Sequence, residues 1–146
     1  MDKQREQELL MQASYLEKNS QEIAQQIEYF EKEIMELDNI YNNLSSLEKG
    51  KGNESYSALG KGLYIKSQLA EEKILVHVGT NVLIKKGIDE TRKIVEEQIK
   101  KLSQARAYLM ERLELYNKGL RDIMDEFGAL EHNHPHGHDH AHIHSH

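Results

Sequence analysis

The chain reads as an α+β protein: a long antiparallel two-helix coiled coil with two β-hairpins inserted between the helices. Three observations predict this. Heptad-spaced apolar residues run from Leu9 to Leu44 and again from Ile88 to Leu130, as in helices that pack along one seam. Between them, residues 55–87 alternate apolar and polar side chains with a period of two, broken by glycine-containing stretches, which marks short strands and tight turns. The single proline, Pro135, lies outside both helical stretches and so interrupts neither.

The first helix is predicted over residues 4–49. Leu9, Leu16, Ile23, Phe30, Leu37 and Leu44 recur every seven positions, accompanied by Ala13, Ser20, Ile27, Ile34 and Tyr41 four residues after each of the first five. Glu, Gln, Lys and Asn fill the intervening positions and suit a solvated face. About 45 residues without glycine or proline would extend ~65 Å. Lys49-Gly50-Lys51-Gly52-Asn53 ends the run with glycine where a C-terminal cap belongs.

The hairpins are predicted over residues 55–87. Leu63, Ile65 and Leu69 share one face of an extended chain, against Tyr64, Lys66 and Gln68. Ile74, Val76 and Val78 alternate with Leu75 and His77, and Val82 and Ile84 with Leu83 and Lys85. Gly60, Gly62, residues 70–73 and Gly79-Thr80-Asn81 supply the breaks, and a weaker strand over Tyr56–Leu59 completes four strands. Two hairpins bury too little to stand alone and leave unpaired edges. The expected remedy is pairing with other subunits through Leu63, Ile65, Leu69, Ile74, Val76, Val78, Val82 and Ile84.

The second helix is predicted over residues 88–130, with Ile88, Val95, Leu102, Leu109, Tyr116, Ile123 and Leu130 in one series. Arg92, Ile99, Arg106, Leu113, Leu120 and Phe127 form the other; the two arginines either fix register, as polar seam residues do, or snorkel to solvent, and the thin core of a two-helix hairpin favours the second. Gly119 is a weak point within it. If residues near 48 and 88 are opposite, partners sum to about 136, which sets Leu9 near Phe127 and Leu16 near Leu120.

Composition narrows the functions. The net charge is −6: residues 1–50 carry 11 acidic and 5 basic groups, residues 51–87 carry 3 and 6, residues 88–131 carry 10 and 8, and Asp139 adds one. An acidic chain without a basic stripe is a poor ligand for nucleic acid or an anionic membrane. No apolar run approaches the ~20 residues that cross a bilayer, and MDKQREQELL is no secretory signal, so a cytoplasmic location is expected. Catalysis has no foothold. The glycines lack a GxxxxGK[ST] context, no Ser/His/Asp arrangement stands out, and His77 reads as an ordinary sheet-face histidine. The chain is expected not to be an enzyme and to require no cofactor.

Residues 132–146 are different. His132, His134, His136, His138, His140, His142, His144 and His146 occupy every second position of a low-complexity tail that is expected to be disordered. Imidazoles suit Ni, Zn and Cu, so the tail is a candidate metal ligand. Its origin is either natural or an added affinity tract, and the varied, non-contiguous spelling favours the first.

The order helix, two hairpins, helix resembles the alpha-type subunit of prefoldin, the archaeal and eukaryotic co-chaperone. The likeness is strongest in Leu59-Gly60-Lys61-Gly62-Leu63-Tyr64-Ile65-Lys66, Lys73-Ile74-Leu75-Val76-His77-Val78-Gly79 and Val82-Leu83-Ile84-Lys85-Lys86. It covers roughly residues 5–130, within a prefoldin-like domain of residues 1–131. Before Leu59 the family often has an apolar-Pro-apolar-Gly run, where this chain has Tyr56-Ser57-Ala58-Leu59-Gly60. Beta-type subunits have a single hairpin, so four strands point to the alpha type.

The resemblance implies a hexamer of two alpha and four beta subunits, with hairpins joining an inter-subunit β-barrel. Its coiled-coil tips would hold unfolded polypeptide without ATP and pass it to a group II chaperonin. Where helices splay at a tip, seam residues lose their partners, which makes Leu9, Leu10, Met11, Ile123, Met124, Phe127 and Leu130 the candidate client-binding residues. Methionine suits a surface that accepts many sequences. The competing readings are a metal-binding or metal-buffering coiled-coil protein acting through its tail, and a filament-forming structural relative of prefoldin.

Overall fold

The computed structural model describes residues 2–48 and 54–133. In order these form α1 (Asp2–Glu48), β1 (Glu54–Gly60), β2 (Leu63–Gln68), β3 (Lys73–Gly79), β4 (Val82–Gly87) and α2 (Ile88–Asn133). The stretch over Tyr56–Leu59 is a full strand, longer than its sequence signal. Helix α2 passes the expected end at residue 130, because no proline or glycine intervenes between Gly128 and Pro135. His132 therefore belongs to its last turn and not to the tail. The other tail histidines, from His134 onward, lie outside the described residues.

The chain divides into two compact units, residues 27–108 and residues 2–26 with 109–133. In the first, the core is Leu44, Ile88 and Val95, with Leu37, Tyr41, Leu47, Ile74 and Ile99 packed against it. All these helical residues except Leu47 come from the two seam series, so the heptads select the buried face. Tyr41 Oη donates to Glu96 Oε1 at 2.8 Å, and Arg92 Nη2 donates to Ser45 Oγ at 3.3 Å. Both pairs fall within a residue of the expected register.

Arg92 turns toward α1, taking the less favoured of its two expected roles. Its guanidinium lies 5.9 Å from the Tyr41 ring centroid and meets Asp89 at 3.1 Å. It ties the two helices near the sheet, as a polar residue on a coiled-coil seam does when it sets register. Arg106 is more exposed and approaches Glu31 at 4.0 Å. At the start of α2, buried Thr91 satisfies its hydroxyl by donating to Gly87 O at 2.8 Å.

The strands form two separate antiparallel sheets, β1 with β2 and β3 with β4. Lys61 and Gly62 both have positive φ (49° and 79°), the backbone of a two-residue turn whose twist matches its flanking strands. Asn81 takes the left-handed conformation (φ 63°) in the second turn, one that asparagine tolerates better than most residues. Glu71, on the link between the hairpins, meets Lys85 Nζ at 2.6 Å.

That hydrogen bond, reinforced by the charge of Lys85, holds the Glu71 carboxyl below its usual range. Because the folded-state pKa is depressed, the pair stabilises the fold above the ordinary glutamate value. Its contribution is lost as pH falls through the lowered one. A carboxyl-detected NMR titration should find Glu71 titrating below the ordinary glutamate value, with added salt moving it back up. Titration at the ordinary value would show that the pair does not persist in solution.

In the second unit, Leu9, Ile23 and Leu109 are buried. Gly119 sits where a Cβ would come within 3.1 Å of Leu16 Cδ1, whereas Gly128 faces open space. Alanine gains about 1 kcal/mol over glycine in a helix interior. Gly128→Ala is therefore expected to stabilise by about that amount, and Gly119→Ala by less, because the Leu16 methyl must move. Denaturant unfolding of the two variants measures the difference; a larger gain at Gly119 would contradict the packing described.

Candidate functional site

In the unit formed by residues 2–26 and 109–133, an apolar recess of about 320 Å³ opens between the two helices. Leu9, Leu10, Ala13, Ile123, Met124, Phe127, Gly128 and Glu131 line it. Its origin lies in residue size. Ala13 occupies a seam position that Ile27 and Ile34 fill in later heptads, and Gly128, beside seam residue Phe127, has nothing within 4 Å of a would-be Cβ, so side-chain volume is missing at both. The walls are almost wholly apolar, with Glu131 the one charged residue.

The residues that sequence reasoning nominated divide into three groups here. Leu9 is 1% exposed and forms part of the floor, with Ile123 and Phe127 half-buried beside it. Leu10 and Met124 are 56% and 71% exposed and stand at the mouth. Met11, 74% exposed, and half-buried Leu130 do not line the recess. Ala13, Gly128 and Glu131 were missed. The signal for the first two was available, since small residues among the terminal apolar positions mark missing volume.

Beside the recess, Arg5 bridges the helices. Its Nε donates to Glu126 Oε1 at 2.8 Å, and its Nη1 lies 3.2 Å from Glu8 Oε2. The hydrogen bond to Glu126, then that to Glu8, raises the already high pKa of the guanidinium. An exposed pair of this kind contributes little stability.

The second candidate surface belongs to residues 27–108. On the first hairpin, Leu63 and Ile65 are exposed and share their face with Ser55, Ser57 and Ser67. Ser57 and Ser67 are hydrogen-bonded at 2.7 Å. Leu69, expected on the strand, lies one residue beyond the end of β2 and is half-buried. It lines a groove with Ser46 and Leu47.

On the second hairpin, Val78, Val82 and Ile84 are exposed, while Ile74 and Val76 are half-buried. Ile74 packs against the helical core and is engaged within the chain. Leu75 and Leu83, on the opposite face, are exposed as well. Apolar side chains thus crowd both faces of sheets that have only two strands each, a pattern that marks interaction surfaces. His77 is an exposed residue of β3, as expected for a sheet-face histidine.

Among the described residues, no group of three or more His, Cys, Asp or Glu could hold a metal ion. No helix there is long and apolar enough to cross a membrane.

Comparison with known proteins gives these features a family. A sequence model of the prefoldin subunit matches residues 5–131. The chain is similar to prefoldin subunit alpha 2 of Thermococcus kodakarensis, at 29% identity over 58% of this chain and 60% of that protein. It is also similar to prefoldin subunit alpha of Thermofilum pendens, at 36% identity over 42% of this chain and 47% of that one. A third relative is prefoldin subunit alpha of Methanobrevibacter smithii, at 30% identity over 49% and 50% of the two chains. The chain spans about half to three-fifths of the length of these curated relatives.

Among solved structures, it resembles a chain of filamentous PFD from Methanocaldococcus jannaschii, determined by cryo-EM. The TM-score is 0.69 at 21% identity, over 80% of this chain and 98% of that one, a likeness of fold. With a family match over residues 5–131, two hairpins between two long helices and alpha-named relatives, the chain belongs to the prefoldin family as an alpha-type subunit.

Proposed function

We propose that this prefoldin-type chaperone subunit is an ATP-independent holdase that captures unfolded polypeptide in the apolar recess between its helices. The recess lined by Leu9, Leu10, Ala13, Ile123, Met124 and Phe127 carries this reading. Its volume lies at the small end of ligand pockets, which suits one or two apolar side chains of an extended chain and not a folded domain. The contact is weak at any single site and gains avidity when several subunits engage one client.

The exposed hairpin faces complete the reading. They join beta-type subunits, two alpha to four beta, in a shared β-barrel, and the assembly passes its client to a group II chaperonin. Burial of Leu63, Ile65, Val78, Val82 and Ile84 in that barrel removes apolar surface and pairs the open strand edges.

The test of the holdase is suppression of aggregation of a denatured protein by the assembled subunit, with no nucleotide present. Protection that rises with chaperone concentration supports the proposal; unchanged light scattering overturns it. The assembly itself is tested by mass after mixing with a beta-type subunit. A discrete hexamer is expected, and open-ended fibres would put a filament-forming role in its place.

A further inference from the structure

We infer that the apolar recess prefers client segments in which a large apolar side chain lies within two or three residues of a lysine or arginine. The inference rests on the proposed capture of polypeptide there and adds the chemistry of the preferred segment. Charge beside apolar surface carries it. Residues 2–26 and 109–133 hold 11 acidic and 6 basic side chains, a balance of −5 that makes up most of the chain's −6.

Two arginines beside the recess are already engaged. Arg5 is held by Glu126 and Glu8, and Arg121, one turn before Met124, meets Glu114 Oε1 at 3.1 Å. Glu131, in contrast, is an exposed wall of the recess, and no lysine or arginine among the described residues forms an ion pair with it. Asp122 and Asp125, exposed on either side of Ile123 and Met124, add two carboxylates. The helix ends themselves add little net field. The Arg5–Glu126 contact sets the positive start of α1 beside the negative end of α2, so the side chains decide the sign.

The reach also fits. Glu131 stands one turn beyond Phe127 on the same face of α2, about 6 Å along the axis. An extended client advances about 3.3 Å per residue. A cation two or three residues from the side chain seated in the recess therefore comes level with Glu131. Its aliphatic stem covers the exposed flanks of Leu10 and Met124, while its charge stays in water beside the carboxylate. An acidic segment on the same path would bring like charges together.

The experiment measures binding of short fluorescent peptides to the full chain by anisotropy. One peptide has a Phe-Leu centre flanked by lysines, and a second has the same centre flanked by glutamates. A third keeps the lysines but carries serines in place of Phe and Leu. At about 50 mM salt the first should bind on the order of tenfold more tightly than the second. At about 0.5 M salt the two should converge, because exposed charges are screened. Glu131→Gln should narrow the low-salt preference about two- to threefold.

Equal affinity for the first two peptides overturns the inference and leaves capture by the recess standing. Equal affinity for the first and third overturns it as well, because charge alone would then account for the attraction. An undiminished preference in Glu131→Gln would place the cation elsewhere and refute the geometry. If none of the three binds, the capture reading itself fails and takes the charge preference with it.

Discussion

Replacing Leu10 and Met124 together with serine is expected to reduce suppression of aggregation several-fold without altering the fold. Both side chains stand at the mouth of the recess, more than half exposed. Surface substitutions of this kind usually change stability by no more than about ±0.5 kcal/mol. The expected signature is therefore an unchanged unfolding midpoint beside a weakened light-scattering assay.

Leu9→Ala serves as the contrast. Leu9 is 1% exposed, and removing a fully buried leucine side chain costs about 2–5 kcal/mol, so its loss of function would be confounded with unfolding. If the Leu10/Met124 double variant protects clients as well as the parent does, the recess is not where polypeptide is held.

Ile65→Glu combined with Ile84→Glu is expected to abolish assembly with beta-type subunits. Each isoleucine is exposed on its own hairpin, so a carboxylate there costs the lone chain little. In an apolar barrel the same carboxylate would lose its water without gaining a partner, a penalty of several kcal/mol. Every ~1.4 kcal/mol changes an association constant tenfold. Light scattering coupled to size exclusion should then report the lone chain, with helical circular dichroism preserved. A double variant that still forms the parent assembly would remove these hairpin faces from the interface.

The two predictions probe surfaces of unequal legibility. The recess was partly written in the seam. Because heptad phase assigns each residue to a face, Leu9 was placed near Phe127, with Ile123 on the same seam, before any coordinates. The division between floor and mouth was not, since it depends on the volume left by Ala13 and Gly128 on facing helices. Met11 shows the limit: apolar and terminal, it still points away from the recess, because its helical phase differs from that of Leu9.

The hairpins were legible as strands, yet their single apolar face was too simple an expectation. Period-two alternation assigned Leu75 and Leu83 to the side opposite Val76 and Ile84, but not whether that side is covered. Ile74, nominated for contact with other subunits, also packs against Leu44, Ile88 and Val95 of its own chain. Arg92 follows the same logic: seam phase located it, but its bond to Ser45 and its place over Tyr41 required the partner helix to be present.

Element order, helix phase, the two turns and the eight spaced histidines were all written in the linear chain, because each depends on residues close together in sequence. Burial depth, the empty volume between facing helices and the competition between inner and outer contacts depend on what lies across from each residue. Those distances are measured through space, between positions as far apart as Leu9 and Phe127, and no local pattern contains them.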